Sequence, residues 1–336
     1  MKEALLYEKI EDRSVRCYLC SHYCRISNQQ FGICGVRQNI DGLLYTYVYA
    51  RPCALHIDPI EKKPLYHFFP GSSSFSVATI GCNFRCGFCQ NWEISQSTIR
   101  DGVDLGTEEV NPEDIVRAAI KNKCKSISYT YTEPTIFFEY ALDTAKLAKT
   151  EGLYNNFVTN GYMTKECLLM IKPYLDAANV DLKFFKDASY KKNCGGALQP
   201  VLNSIRLMHE LGIWVEVTTL VVPGENDSEE ELTGIAQFIA DVDKNMPWHV
   251  SRFHPDYKFT DYGPTPEATL KKAQEIGERC GLTYIYVGNV VGFGNDTYCP
   301  GCKKLLIKRE VFSILEYNIK SGRCAFCNAV SPGLFN

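Results

Sequence analysis

Sixteen cysteines in 336 residues constrain this chain more than any other feature. Eleven fall into three tight groups: Cys17, Cys20, Cys24 and Cys34; then Cys82, Cys86 and Cys89; then the pairs Cys299/Cys302 and Cys324/Cys327. The opening MKEALLYEKIEDRS lacks the apolar stretch of a signal peptide. A disulfide-stapled secreted fold is therefore not expected, and in a reducing compartment clustered thiols serve metals or catalysis. A cytoplasmic protein wrapped around metals at three places is the expectation. Cys53, Cys124, Cys167, Cys194 and Cys280 stand outside the groups.

Bulk properties exclude several classes. Hydrophobic residues make up 45% and charged residues 22%, as in ordinary globular proteins. A net charge of −3 leaves no global basic footprint for nucleic acid. No run reaches the roughly 18 apolar residues of a membrane span.

After a turn-rich start, the stretch PGSSS (70–74) reads as a boundary. Beyond it, seven short apolar runs alternate with helical stretches: 74–80, 126–131, 155–160, 177–184, 213–222, 248–253 and 283–288. Asn111-Pro112-Glu113-Asp114 and Ser228-Glu229-Glu230-Glu231 carry helix-start signals. Alternating strands and helices predict a parallel sheet under helices. The expected fold is α/β, a partial or near-complete β/α (TIM-like) barrel with small Cys-rich metal modules at both ends. The domains are expected at 1–70 (metal module), 71–296 (barrel) and 297–336 (zinc-ribbon or rubredoxin-like module). Reactive residues of such barrels sit at the carboxyl ends of strands.

The central group, GCNFRCGFCQNW (81–92), follows the first barrel strand and has only three cysteines. Complete thiolate sites for zinc or a cubane use four ligands. Three thiolates on a [4Fe–4S] cluster leave one iron open for a small molecule. Such an iron can chelate the amino and carboxylate groups of S-adenosylmethionine and drive its reductive cleavage to a 5′-deoxyadenosyl radical. The plainer alternative is a zinc or structural site whose fourth ligand lies elsewhere.

Cys82-x3-Cys86-x2-Cys89, followed by Gln90-Asn91, YTYTEP (129–134), TNG (159–161), DLK (181–183) and VVPGEND (221–227), resembles the radical S-adenosylmethionine (SAM) superfamily and its glycyl-radical-enzyme activases. More narrowly, CYLCSHYC (17–24), FGICGVR (31–37), DPIEKKPLYHF (58–68), RFHPDY (252–257) and YVGNV (286–290) resemble the radical enzymes of the AmmeMemoRadiSam system. That resemblance implies AMMECR-type and Memo-type partners and a reductant such as flavodoxin or ferredoxin, and leaves the substrate open. It also implies anaerobic handling.

The resemblance makes Glu133 the acceptor for the adenosylmethionine amino group, with Thr132 beside it; otherwise Glu133 is a helix-start acid. Tyr131 and Thr132 stand where the family has glycines, which puts the local backbone in question. Asn160 and Gly161 would lie near the ribose or carboxylate, or form a plain turn. Asp181 and Lys183 share one strand face; Lys183 pairs with the methionine carboxylate or simply with Asp181. His254 is a further carboxylate candidate or a structural histidine. Phe88 packs on adenine or covers the cluster. Cys194, in a glycine-flanked loop, donates a hydrogen atom or is an inert thiol.

The outer groups each supply four thiolates. Cys17/Cys20/Cys24/Cys34 fit zinc or a second iron–sulfur cluster; a structural zinc is favoured because nothing in the sequence marks the site as redox-active. Cys299/Cys302/Cys324/Cys327 fit zinc or iron, and the module would fold on its metal. The basic run Lys303, Lys304, Lys308 and Arg309 reads as a solvated face, or as a nucleic-acid contact. Three functions thus compete: a radical enzyme with an unknown substrate, a glycyl radical enzyme activase, and a zinc-stabilised RNA- or protein-binding module.

Overall fold

The computed structural model describes every residue except Thr107, Val291, Phe293 and Asn336. Its centre is one eight-stranded sheet. The strands are β1 (Ala54–Pro59), β2 (Ser73–Ala78), β3 (Ser126–Tyr129), β4 (Tyr154–Thr159), β5 (Ala177–Asp181), β6 (Trp214–Val221), β7 (Trp248–Arg252) and β8 (Ile285–Gly288). They lie in sequence order, β2 to β8 all parallel and β1 antiparallel at one edge. The two edges do not pair, so the barrel is partial.

All seven expected barrel strands are present. Their runs are buried on both faces, as in Ala177–Val180 and Ser126–Tyr129, because helices cover the outside and side chains fill the inside. The covering helices are α1 (Pro112–Lys121), α2 (Phe138–Thr150), α3 (Lys165–Ile171), α4 (Asp187–Cys194), α5 (Leu198–Glu210), α6 (Glu229–Val242) and α7 (Glu267–Arg279). On α5, Val201, Leu202, Ile205 and Met208 bury one face at helical spacing. The Ser228 hydroxyl caps α6 by accepting from the Glu231 N–H at 3.2 Å. Glu231 does not close a capping box; its carboxylate accepts from the Phe185 N–H instead.

Two expectations need correction. PGSSS does not separate two bodies. It turns the chain between β1 and β2, which pair along six residues, so residues before 70 already belong to the barrel sheet. Residues 60–69 then plug the amino-terminal end of the strands, with Ile60, Leu65 and Phe68 fully buried. The basic run is not one solvated face either. Arg309 is buried, its guanidinium donating to the Tyr66 carbonyl (2.9 Å), the Asn295 carbonyl (3.0 Å) and the Thr297 hydroxyl (2.8 Å). It ties the C-terminal strands Leu305–Glu310 and Ser313–Tyr317 to that plugged end. No helix among the described residues is long and apolar enough to cross a membrane.

Candidate functional site

The carboxyl ends of the strands open onto a polar cavity of about 450 Å³. The loop after β2 brings Cys82, Cys86, Phe88 and Cys89 to its wall. None of the three thiols is in a disulfide. The Phe84 N–H points at Cys82 Sγ (3.4 Å), and Ser95 Oγ lies 3.2 Å from Cys89 Sγ. Gly87 is required here, because a Cβ would meet Phe259 at 2.6 Å. Phe88 is buried between Phe184 and Phe259, with Lys183 Nζ 5.9 Å from its ring centre.

After β3, Tyr131 adopts φ +65°, the left-handed conformation that favours glycine. The backbone course therefore survives the loss of the family's glycines, at a strain of order 1–3 kcal/mol. The Tyr131 hydroxyl donates to Asp58, and its carbonyl accepts from Asn91 (2.9 Å), so both ends of the residue are anchored. Thr132 Oγ1 donates to the Thr79 carbonyl (2.8 Å). Glu133 is buried. Its Oε1 accepts from Thr135 and Thr159, and among the described residues its Oε2 accepts only from the Asn160 N–H (2.8 Å). Burial pushes its carboxyl up, against those donors. One acceptor site on Oε2 is left for a donor in the cavity.

After β4, Asn160 Nδ2 donates to Asn83 Oδ1 (2.7 Å), which fastens this turn to the cysteine loop. Gly161 lies outside the cavity wall at φ +69°; a Cβ there would strike Val180 at 2.7 Å. After β5, Lys183 Nζ bonds Asp181 Oδ2 at 2.9 Å, and both line the cavity. Burial opposes the charge on Lys183, but Asp181 and the nearby thiols hold its pKa well above the usual lysine range. Thr218 on β6 turns a buried, unpartnered hydroxyl to the cavity.

Besides Gly161, two candidates stand apart from the wall. His254 is exposed and contacts Gln90 Nε2 at 3.0 Å. Cys194 is not in a loop. It is the last residue of α4, because Gly195 at φ +72° supplies the left-handed cap. It is fully buried, its thiol close enough to Cys86 to help push that thiol up, and its carbonyl accepts from the Arg85 N–H (2.8 Å).

Lys62 and Lys63, missed in the sequence, also line the cavity. Asp58 binds Lys62 at 2.8 Å and Lys63 at 2.6 Å. Burial drops Lys63 to about 8, against the pull of Asp58. The signal was present in DPIEKKP, but its placement before the supposed boundary hid it.

The donor set fits a three-thiolate cluster with a polar ligand: three unpaired thiols on one short loop, facing a free carboxylate acceptor, a lysine and an orphan hydroxyl. Residues 76–235 match the model of the radical SAM superfamily. The chain is 46% identical over 331 residues to an uncharacterized protein, MJ0808, of Methanocaldococcus jannaschii, covering 97% of this chain and 98% of that one.

The chain belongs to the radical SAM superfamily.

This radical SAM enzyme is also 22% identical over 216 residues to a pyruvate formate-lyase-activating enzyme of Clostridium pasteurianum, covering 58% of this chain and 86% of the relative. Its fold is similar to that of Streptococcus suis SuiB bound to S-adenosylmethionine, with a TM-score of 0.51 and 15% identity, over 68% of this chain and 53% of that one. Membership makes the chain an enzyme and sets aside the binding-module alternative. Of the outer groups, Cys299, Cys302, Cys324 and Cys327 bring their sulfurs within 4.8 Å of one another, close enough to hold one metal ion.

Proposed function

We propose that this enzyme generates a 5′-deoxyadenosyl radical and abstracts hydrogen from a substrate not yet identified. The supporting observation is the cavity at the strand ends, where the three thiols meet Glu133, Asp181 and Lys183. Cys82, Cys86 and Cys89 would hold a [4Fe–4S] cluster, and Glu133, with Asn160 behind it, would receive the amino group of S-adenosylmethionine. When bound, that pair supplies reductive carbon–sulfur cleavage and a carbon-centred radical. Lys183 offers a fixed cation for the ligand's carboxylate. Phe88, Phe184 and Phe259 keep water from the sulfurs. A volume of about 450 Å³ lies in the usual range for small-ligand sites and leaves limited room for a large substrate.

The test is anaerobic reconstitution followed by electron paramagnetic resonance (EPR) with and without S-adenosylmethionine. A [4Fe–4S] signal component that changes shape with the ligand, and is lost when Cys82, Cys86 and Cys89 are alanine, supports the reading. A spectrum with no ligand-sensitive component ends it.

The likeness to a pyruvate formate-lyase-activating enzyme favours a second reading, in which the hydrogen comes from a glycine of a partner enzyme. A doublet glycyl EPR signal on incubation with candidate partners would distinguish it. AMMECR-type and Memo-type proteins as partners, and flavodoxin or ferredoxin as reductant, follow from the motif resemblance and are testable by pull-down and by reductant exchange.

A further inference from the structure

The two outer cysteine groups differ in how tightly they close. In the C-terminal group, Cys299 Sγ lies 3.6 Å from Cys327 Sγ, and Cys302 Sγ lies 3.7 Å from Cys324 Sγ. Around a single tetrahedral ion with metal–sulfur bonds of about 2.3 Å, sulfurs stand about 3.8 Å apart. The C-terminal group is therefore drawn in to the size of one ion. Among the described residues it is the one set of three or more His, Cys, Asp or Glu whose ligand atoms all come within 4.8 Å. The central three thiols, which carry the superfamily's signature, do not contract that far. Neither do Cys17, Cys20, Cys24 and Cys34, although all four line one small apolar cavity. A cluster holds its thiolates on separate irons, so they spread wider than around one ion.

We propose that Cys17, Cys20, Cys24 and Cys34 hold a second [4Fe–4S] cluster, and that it passes electrons to the central site. This reverses the structural zinc expected from sequence.

Two observations besides the spacing support a cluster. Arg37 is buried and lines this cavity, with Nη1 4.0 Å from Cys17 Sγ and with Nε left without a partner. Its other amine nitrogen is committed to Glu139 by bonds of 2.6 and 2.7 Å. An unpaired buried donor calls for an acceptor, and inorganic sulfide supplies one. Second, Gly32 brings the backbone against two of the thiols: a Cβ there would stand 3.9 Å, an ordinary contact distance, from both Cys24 Sγ and Cys34 Sγ, and 3.2 Å from Ile26.

The route inward is short. Arg85 Nη2 donates to the Ile33 carbonyl at 2.9 Å, while its Nη1 donates to the Cys82 carbonyl at 2.8 Å. His22 Nε2 meets the Asn83 carbonyl at 2.8 Å. The Cys34 carbonyl lies 3.3 Å from where a Cβ on Gly81 would stand, one residue before Cys82. On the outer side Cys20 and Cys24 are half-buried, and Tyr23 and Ile33 are exposed beside them. An electron would enter there from a flavodoxin- or ferredoxin-class reductant, itself oxidised by one electron. The N-terminal cluster gains that electron and loses it to the central one, with no bond or proton changed.

The relay rests on the radical reading above; the cluster assignment does not. The first experiment is iron, sulfide and zinc analysis with EPR on the full chain carrying Cys82→Ala, Cys86→Ala and Cys89→Ala. About four irons and about four sulfides should remain, with a reduced signal indifferent to S-adenosylmethionine. Adding Cys20→Ala and Cys24→Ala should remove them. Zinc without sulfide overturns the assignment. If the triple variant does not fold, the unaltered chain decides: about eight irons in clusters supports it, and about four irons with two zinc ions overturns it.

The relay is tested with Cys24→Ser in a chain whose central site is intact. Formation of 5′-deoxyadenosine should fall about tenfold or more with a flavodoxin-class donor and stay within about twofold with dithionite. Equal loss with both donors, or no loss with either, overturns the relay. No 5′-deoxyadenosine from the unaltered chain with dithionite overturns the radical reading and the relay together, and leaves the iron and sulfide count to decide the cluster.

Discussion

Glu216 and Thr218 lie two residues apart on β6 and point into the same barrel, but they serve opposite ends of it. Glu216 is saturated: Oε1 accepts from the His67 N–H (2.8 Å) and Trp214 Nε1 (3.0 Å), and Oε2 from the Tyr66 N–H (2.9 Å) and His249 Nε2 (2.7 Å). His67 in turn contacts the Tyr286 hydroxyl and the Pro332 carbonyl, both at 2.7 Å. Thr218, one step toward the carboxyl end, has a buried hydroxyl with no protein partner. At the amino-terminal end Glu216 and His67 are thus satisfied within the protein, and that end stays closed. The carboxyl end leaves Thr218, one site on Glu133 and Lys183 for a ligand. One set of strands carries stability at one end and chemistry at the other.

The sharpest division is expected at the cysteines. Replacing Cys82, Cys86 or Cys89 by alanine should lower 5′-deoxyadenosine formation by about a thousandfold or more, measured by chromatography. Urea unfolding referenced to the metal-free protein should barely move. Residual activity above a tenth of the original would break the assignment of the open end.

Glu216→Ala should do the reverse. It strands His249 and two buried N–H groups, at a cost of about 3–5 kcal/mol in urea unfolding. Adenosylmethionine binding by the folded fraction should be unchanged. A loss of affinity without a loss of stability would mean that the two ends are coupled.

The closed end should also give the acid limb of stability. Burial depresses the His67 imidazole to about 4, with Glu216 pulling the other way. Between that value and the ordinary 6.5 the unfolded chain binds more protons than the folded one, so stability falls as pH falls through this window. The loss is up to about 3 kcal/mol and should shrink in His67→Gln. A pH profile of the same depth in the variant would assign the effect elsewhere.

The smallest effect is at Lys183. Lys183→Met should weaken adenosylmethionine binding about tenfold, or about 1.4 kcal/mol, by anaerobic titration calorimetry. Unchanged affinity would leave the lysine as no more than a partner for Asp181.

Sequence reading reached the seven parallel strands because their runs are apolar and regularly spaced. It also reached Cys82, Cys86, Cys89, Glu133, Asp181 and Lys183, which follow directly on those strands and line the cavity. It misread what depends on distant pairing. β1 is polar at alternate positions, and only its partner β2 makes it a sheet strand. Lys62 and Lys63 reach the cavity through β1, and so were missed with it. Arg309 looked like surface charge until Tyr66, 243 residues earlier, received it. Cys194 looked like a loop residue because Gly195 was read as flexibility rather than as a helix stop.

The closed end also dictates an order of assembly. Its hydrogen bonds join His67 to Glu216, to Tyr286 and finally to Pro332, across a separation of 265 residues. A chain made from its amino terminus cannot complete this network until nearly all of it has left the ribosome, and contacts so distant in sequence form slowly. The thiols near residues 17–34 and 82–89 emerge long before that. The cysteines of the open end are therefore available to bind while the opposite end of the barrel is still unsealed.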